Sequence, residues 1–138
     1  MVSPAHDTDD DAPDFGDMHS LLAEAENAFY DWARKALSDV KPHAEELSGA
    51  QFEGARDSIF SVFHDLKGAG GGVGITLMTE IGESGCEYLR HMNQPSDKAR
   101  RVLMAHITAA EGVLAAKIRG DGGPIGRALL AKLKSAAA

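Results

Sequence analysis

The sequence predicts an all-α protein, an antiparallel four-helix bundle with an N-terminal tail and a short C-terminal helix. Apolar residues recur at spacings of three and four in four long segments, and clusters of glycine, asparagine and proline separate those segments. No run alternates between apolar and polar residues as a half-buried strand would. Because the connections are short, consecutive helices are expected to lie antiparallel. The chain has 138 residues, 43% of them hydrophobic, which is enough for one domain with a core.

Residues 1–17 are interpreted as a disordered acidic tail. They contain six aspartates, two prolines and no Lys or Arg, so they bury too little apolar surface to offset the entropy of ordering. We expect residues 18–138 to form one domain. Without the tail the net charge is close to zero, although the whole chain carries −7. The chain has no basic patch, which argues against nucleic-acid binding.

Three further features indicate a cytoplasmic protein. No stretch approaches eighteen consecutive apolar residues, so we expect no membrane span. The first residues lack the cationic and apolar regions of a secretory signal. Cys86 is the single cysteine, so no internal disulfide can form, which fits a reducing compartment.

The first helix is predicted to run from Met18 to about Val40. Its apolar residues follow at intervals of three and four, which favours a helix with one buried stripe. Pro42 should kink this helix, or end it and begin a short segment over residues 43–47, because proline has no backbone N–H to donate. The apolar residues of the stripe are Leu21, Leu22, Ala25, Ala28, Phe29, Trp32, Ala33, Ala36, Leu37 and Val40.

The second helix is predicted over about residues 51–70 and ends in a cluster of four glycines, which weaken a helix interior. With His64 as origin, steps of about 100° per residue place one apolar set on the opposite side of the helix. We therefore expect His64 to stand in solvent, with Phe60 and Phe63 flanking the imidazole. The set expected to be buried is Phe52, Ala55, Ile59, Val62, Leu66 and Ala69.

Three helices are predicted in the remaining chain. The third covers residues 76–92, where Gly82 and Gly85 indicate close approach to a neighbour (or simply a weaker helix). The fourth is capped by Ser96, whose side chain can accept from the first free backbone N–H groups. Gly120 begins the glycine-rich segment that ends it. The last helix, over residues 125–133, is amphipathic and basic, with Arg127, Lys132 and Lys134 in or beside it.

One motif stands at the end of the second helix. The segment His-Asp-Leu-Lys-Gly-Ala-Gly-Gly-Gly-Val-Gly begins at His64, with Lys67 and Gly68 three and four residues on and Gly74 at the turn. It resembles the signature of histidine-containing phosphotransfer (HPt) domains, and the resemblance extends over residues 18–118, with Glu87 also suited to the family.

The resemblance implies an HPt-like bundle and a phosphorelay function. His64 would accept a phosphoryl group, on Nε2, from a receiver-domain aspartate or a kinase, and pass it to the aspartate of a response-regulator receiver domain. The partners would be receiver domains and a hybrid sensor kinase, and the chain would be a monomeric phosphocarrier without kinase activity. It would need no cofactor of its own, since Mg²⁺ belongs to the partner receiver.

The residues support this chemistry independently of the family. A solvent-exposed imidazole is largely neutral near pH 7 and is then a nucleophile. Lys67, one turn from His64, can stabilise the charge of a phosphoryl group. Gly68 and Gly71 leave the surface beside the imidazole without side chains, so that a receiver can approach. The residues predicted to contact the partner are Asp57, Phe60, Ser61, Gly68 and Gly71.

Three alternatives were compared with this hypothesis. An enzyme that binds nucleotides is disfavoured, because the glycine cluster matches neither Gly-x-x-x-x-Gly-Lys-Ser/Thr nor Gly-x-Gly-x-x-Gly. The cluster also follows a helix, whereas those phosphate-binding loops follow a strand. A metal-binding bundle is disfavoured, because no two histidines lie three or four residues apart and no Glu-x-x-His is present; no metal site is expected. A non-catalytic helical adaptor that binds a signalling partner through the same face stays open.

Overall fold

The fold is all-α over the residues that the structure, a computed structural model, describes, which are 15–138. This range contains five helices and no strand. None of the five has the length and apolar character needed to span a membrane. The helices are α1 (Phe15–Glu46), α2 (Phe52–Gly72), α3 (Thr76–Arg90), α4 (Asp97–Ala115) and α5 (Gly123–Ala137).

Helix α1 is longer than predicted at both ends. It begins at Phe15, so residues 15–17 are helical, while the rest of the predicted acidic tail lies outside the described residues. It also continues through Pro42 to Glu46. Proline removes a single backbone donor, and the buried residues Val40 and Ala44 on either side hold this turn against the core. Burial therefore outweighs the break expected at Pro42.

Helix α2 and the turn after it follow the prediction closely. The helix begins one residue and ends two residues later than expected, because Gly70, Gly71 and Gly72 remain helical. The chain reverses at Gly74, whose φ of +82° belongs to the left-handed region that favours glycine. The N–H of Ile75 donates to the carbonyl oxygen of Gly70 at 2.8 Å and closes the turn.

Helices α2 and α3 pack with their backbones in close approach. A Cβ on Gly82 would lie 2.7 Å from the carbonyl oxygen of Phe63, and one on Gly85 would lie 3.2 Å from the Phe63 ring. A Cβ on Gly70 would lie 2.8 Å from Cβ of Met78. The close approach predicted for Gly82 and Gly85 is confirmed, and larger residues at these points would force the two helices apart.

The later helices are tied to this pair through their ends. Ser96 caps α4, and its Oγ accepts from the N–H of Ala99 at 3.1 Å, as predicted. Gly120, in the connection between α4 and α5, donates to the carbonyl oxygen of Gly74 at 2.9 Å and accepts from the N–H of Leu77 at 2.8 Å. Helix α5 extends beyond residues 125–133 and packs against α3 and α4.

The core forms where the inner faces of the helices meet. Helix α1 contacts α2 and α4, and α3 lies between α2 and α4. Only the part of α1 from Phe29 onward is in the core, because most residues before it are exposed, including Leu21 and Leu22. The largest fully buried side chains are Phe63, Leu37, Leu47, Ile59, Leu66, Ile75, Leu77, Met78, Ile81, Leu89, Leu103 and Ile107.

Candidate functional site

His64 lies on the outer face of α2, and its side chain is 64% exposed. The exposure predicted for the imidazole is therefore confirmed. Ile59 and Leu66, on the opposite side of the helix, are completely buried, also as predicted. Helix α2 thus buries one face in the core and holds the imidazole in solvent on the other.

The buried face of α2 is rotated from the predicted one. Ala69 is exposed and Val62 only half-buried, whereas Phe63 is completely buried. The stripe is displaced by about 40° toward Phe63, because the glycines of α3 draw that side of α2 inward. The expectation that Phe63 flanks the imidazole is wrong. Its ring instead packs edge-on against His106, with centroids 6.2 Å apart.

The neighbours of the His64 ring distinguish its two nitrogens. Nδ1 lies 3.5 Å from Oδ1 of Asp65, an exposed carboxylate. The ring of Phe60 stacks against the imidazole, with centroids 6.3 Å apart and an interplanar angle of 22°. Nδ1 is thus the ring nitrogen that faces the carboxylate.

The surface beside His64 is open on the side of α1. A Cβ on Gly68 would meet no heavy atom within 4 Å, so the absence of a side chain there is not required by packing within the protein. Gly68, Asp65 and Ala69 form with His64 and Trp32 a shallow depression of about 420 Å³. Gly68 therefore leaves room for a partner next to the imidazole.

Trp32 borders this depression, and the sequence analysis missed its position. The periodicity of α1 predicts Trp32 in the buried stripe, whereas in the structure it is 38% exposed. A signal was present in the sequence, since Ala33, Leu37, Val40 and Ala44 form a complete heptad-like stripe without it. An exposed indole beside an open surface suits contact with a partner.

Gly71 differs from Gly68 in its surroundings. It is exposed, as predicted, but a Cβ there would lie 3.1 Å from Oγ1 of Thr79. The same hydroxyl donates to the carbonyl oxygen of Lys67 at 2.9 Å. Gly71 therefore serves the packing of α3 on α2 as well as the open surface.

Lys67 forms an ion pair that the sequence analysis did not anticipate. Its Nζ lies 2.5 Å from Oε2 of Glu83 on α3, and both side chains are partly exposed. The sequence predicts only that this lysine lies one turn from the imidazole on the same face of the helix. In the structure the ammonium group joins α2 to α3.

A second cation lies near the same carboxylate. Nη1 of Arg90 is 3.6 Å from Oε1 of Glu83 and 3.1 Å from Oε2 of Glu87. Its guanidinium group lies over the ring of Phe60, 5.6 Å from the centroid. Lys67, by hydrogen bond and charge, and to a smaller extent Arg90, lower the pKa of the Glu83 carboxyl group. Glu83 is therefore held as a carboxylate between two cations.

The remaining predicted contact residues lie around the same face. The side chain of Asp57 is 74% exposed, and its Oδ1 is 3.3 Å from Nε of Arg56. Ser61 is exposed, and Phe60 is half-buried at the edge toward α3. The structure thus places Asp57, Ser61 and Gly68 on one exposed face with His64.

His106 and Cys86 are removed from this surface. His106 is completely buried, and its Nδ1 lies 2.8 Å from the carbonyl oxygen of Val102 and its Nε2 2.8 Å from Oγ of Ser84. A carbonyl oxygen only accepts, so Nδ1 carries the proton and Nε2 accepts from the hydroxyl. Burial raises the pKa of the Cys86 thiol, which disfavours the thiolate as a competing nucleophile.

Comparison with protein-family models, with curated proteins and with solved structures finds no match for this chain. The resemblance to HPt domains therefore depends on His64, Lys67, Gly68, Gly74 and the surface around them. Within residues 15–138, no three His, Cys, Asp or Glu side chains are grouped so that they could hold a metal ion.

Proposed function

We propose that this chain is an HPt-like phosphocarrier. It accepts a phosphoryl group on His64 from a receiver-domain aspartate, or from a kinase, and passes it to the aspartate of a response-regulator receiver domain. The observation that carries the proposal is the exposed imidazole on a helix that is otherwise anchored in the core, with open space at Gly68 one turn away. The partners are receiver domains and a hybrid sensor kinase.

The proposed architecture is an antiparallel four-helix bundle formed by α1 to α4, with α5 alongside. The contacts of α1 with α2 and α4, and of α3 with the same two helices, support this arrangement. In this proposal the chain acts as a cytoplasmic monomer. A bundle of this kind fixes the acceptor helix on two sides and leaves its third side to the partner.

The proposed transfer forms one bond, breaks one bond and leaves the ring proton in place. The lone pair of Nε2 attacks the phosphorus of the aspartyl phosphate, and an N–P bond forms while the P–O bond to the aspartate breaks. The electron pair of that bond leaves with the aspartate carboxylate. The proton on Nδ1 stays beside Asp65, 3.5 Å away, where the carboxylate can stabilise the cationic ring. Onward transfer reverses these changes.

The protein needs no base, cofactor or kinase activity for this step in our proposal. An acyl phosphate is already reactive, so an unprotonated imidazole suffices. Mg²⁺ and the aspartyl pocket belong to the receiver partner. Lys67 stabilises the negative charge of the phosphoryl group that the imidazole carries.

The proposal is tested by incubating the full chain with a receiver domain that has been phosphorylated on its aspartate. We expect the chain to acquire phosphate that is labile in acid and stable in base, as a phosphohistidine is. His64→Gln should acquire none and should keep the circular dichroism spectrum of the parent, because the side chain it replaces is largely exposed. His91→Gln, which changes another exposed histidine, is the matched control. Phosphate retained by His64→Gln would contradict the assignment.

A second candidate is a helical adaptor that binds a signalling partner through the same face without phosphotransfer. The ion pair between Lys67 and Glu83 favours it, because the lysine is engaged within the protein. The exposed Trp32 beside His64 would suit such binding. An adaptor would bind the receiver equally well as parent and as His64→Gln, and neither form would acquire phosphate.

A further inference from the structure

The ion pair between Lys67 and Glu83 connects the acceptor surface to a residue outside the predicted site. We infer that Glu83 is a positioning residue, which keeps Lys67 on α3 while His64 is unmodified and releases it to the phosphoryl group when His64 is phosphorylated. This inference rests on the proposed function, because it needs a phosphoryl group on His64. Glu83 contacts neither reactant and acts only through Lys67.

The geometry gives Lys67 two alternative partners. Lys67 lies one turn from His64 along α2, and its Nζ is 2.5 Å from Oε2 of Glu83. One ammonium group cannot neutralise a carboxylate and a phosphoryl group equally well at the same time. The phosphoryl group carries more charge than the carboxylate, so the lysine is expected to shift toward His64 once the N–P bond has formed.

Glu83 lies beside the close contact between α2 and α3, and its carboxylate pairs with two cations. It follows Gly82, where an added Cβ would lie 2.7 Å from the carbonyl oxygen of Phe63 and 3.0 Å from the backbone nitrogen of Lys67. Arg90, 3.6 Å from its other carboxylate oxygen, partly balances the charge that is left when Lys67 departs. The backbone of Glu83 is thus held close to Lys67, and its carboxylate keeps a second cation when the lysine moves.

Competition for Lys67 predicts that the loss of Glu83 promotes phosphorylation. An exposed ion pair of this kind changes an equilibrium by a factor of about two to five. Glu83→Gln keeps the shape of the side chain and removes its charge. Glu87→Gln is the matched control, because Glu87 lies on the same helix and pairs with Arg90 and His91 but not with Lys67.

The test uses phosphoramidate, a small donor that needs no receiver, and measures the rate and extent of labelling by intact mass, with the labelling of His64→Gln subtracted to give that of His64. We expect Glu83→Gln to be labelled about two- to fivefold more than the parent and Glu87→Gln to match the parent. The gain should vanish in a Lys67→Gln background, and it should decrease in about 1 M salt, where exposed charges are screened.

Nuclear magnetic resonance gives a readout that a merely structural role would not change. Phosphorylation should shift the Cδ signal of Glu83 in the parent but leave it unchanged in Lys67→Gln. If the parent is labelled on His64 while Glu83→Gln and Glu87→Gln behave alike, the role of Glu83 is disproved and the proposed function stands. If the parent is not labelled and also acquires no phosphate from a phosphorylated receiver, both are disproved.

Discussion

The two faces of α2 each have a histidine and a glycine beside them, and the surroundings of these pairs differ completely. On the outer face, His64 is 64% exposed and a Cβ on Gly68 would meet open space. On the inner face, both ring nitrogens of His106 have partners, and a Cβ on Gly82 would lie 2.7 Å from a backbone oxygen. A histidine or a glycine on this helix pair can therefore serve packing or lie in solvent, and only its surroundings distinguish the two cases.

The difference shows which property of the protein a substitution on each face is expected to change. On the inner face, shape and hydrogen bonding are fixed by neighbours, so a substitution changes stability. On the outer face, substitutions change what a partner meets and leave the fold nearly unaffected. Four predictions test this contrast, ordered by the expected change in the free energy of unfolding.

The largest effect is expected from truncating the inner face at Leu66. Leu66→Ala should lower the free energy of unfolding by about 2–5 kcal/mol, because it leaves a cavity under a completely buried side chain. His64→Ala, two residues away, should change it by less than about 0.5 kcal/mol. Urea denaturation of both variants measures the contrast, and similar losses would contradict the assignment of the two faces.

The next effect is expected from the pair of glycines. Gly82→Ala should lower the free energy of unfolding by about 1–3 kcal/mol, because the new methyl group collides with the backbone of α2. Gly68→Ala should raise it by about 0.5–1 kcal/mol, because alanine loses less backbone entropy in an open helical position. Thermal unfolding of the two variants distinguishes the cases, and a stabilising Gly82→Ala would disprove the close contact.

A smaller effect is expected from pH, through His106. Burial lowers its pKa, against the opposing effect of the hydrogen bond to Val102, so the unfolded chain binds a proton more readily than the folded one. The stabilisation is complete above about pH 6.5 and is lost as the pH falls below this value. The slope is at most about 1.4 kcal/mol per pH unit.

The parent and His106→Gln should therefore be unfolded in urea at about pH 7.5 and about pH 5.5, on either side of the usual titration of histidine. The parent should lose more stability than the variant between these conditions, since other groups titrate in both proteins. An equal loss would show that His106 takes up no proton on unfolding.

The smallest change in stability, a gain of about 0.5 kcal/mol or less, is expected from Gly68→Gln, because glutamine is a better helix former than glycine and the structure has open space there. Labelling by phosphoramidate should stay close to the parent, because a small donor still reaches the imidazole. Transfer from a phosphorylated receiver should decrease about tenfold or more, because the new side chain occupies the approach of a large partner. Undiminished transfer would disprove the role assigned to the glycine.

The sequence predicted most of the fold because periodicity and capping are local. The ends of α2, the cap at Ser96 and the turn at Gly74 follow from residues within a few positions of each other. The continuation of α1 through Pro42 could not be predicted, since burial on distant helices decides it. The rotation of α2 toward Phe63 also depends on a contact made by α3.

The candidate site also contains features that local sequence predicts and features that depend on contacts between helices. The exposure of His64 follows from the amphipathic pattern of α2 alone. The partner of Lys67 could not be predicted, because Glu83 lies on another helix and no local spacing links the two residues. Trp32 reaches the site from α1, and only the relative position of the helices reveals it.

The glycine contact between α2 and α3 has a consequence for how this chain can diverge. A Cβ at position 82 or 85 would lie 2.7 or 3.2 Å from Phe63, so a change at one of these positions is expected to cost stability unless another changes with it, whereas the residues around the imidazole face solvent. The spacing of these internal positions should outlast the surface motif over evolutionary time. Distant relatives are then better sought by these buried glycines than by the surface motif around His64.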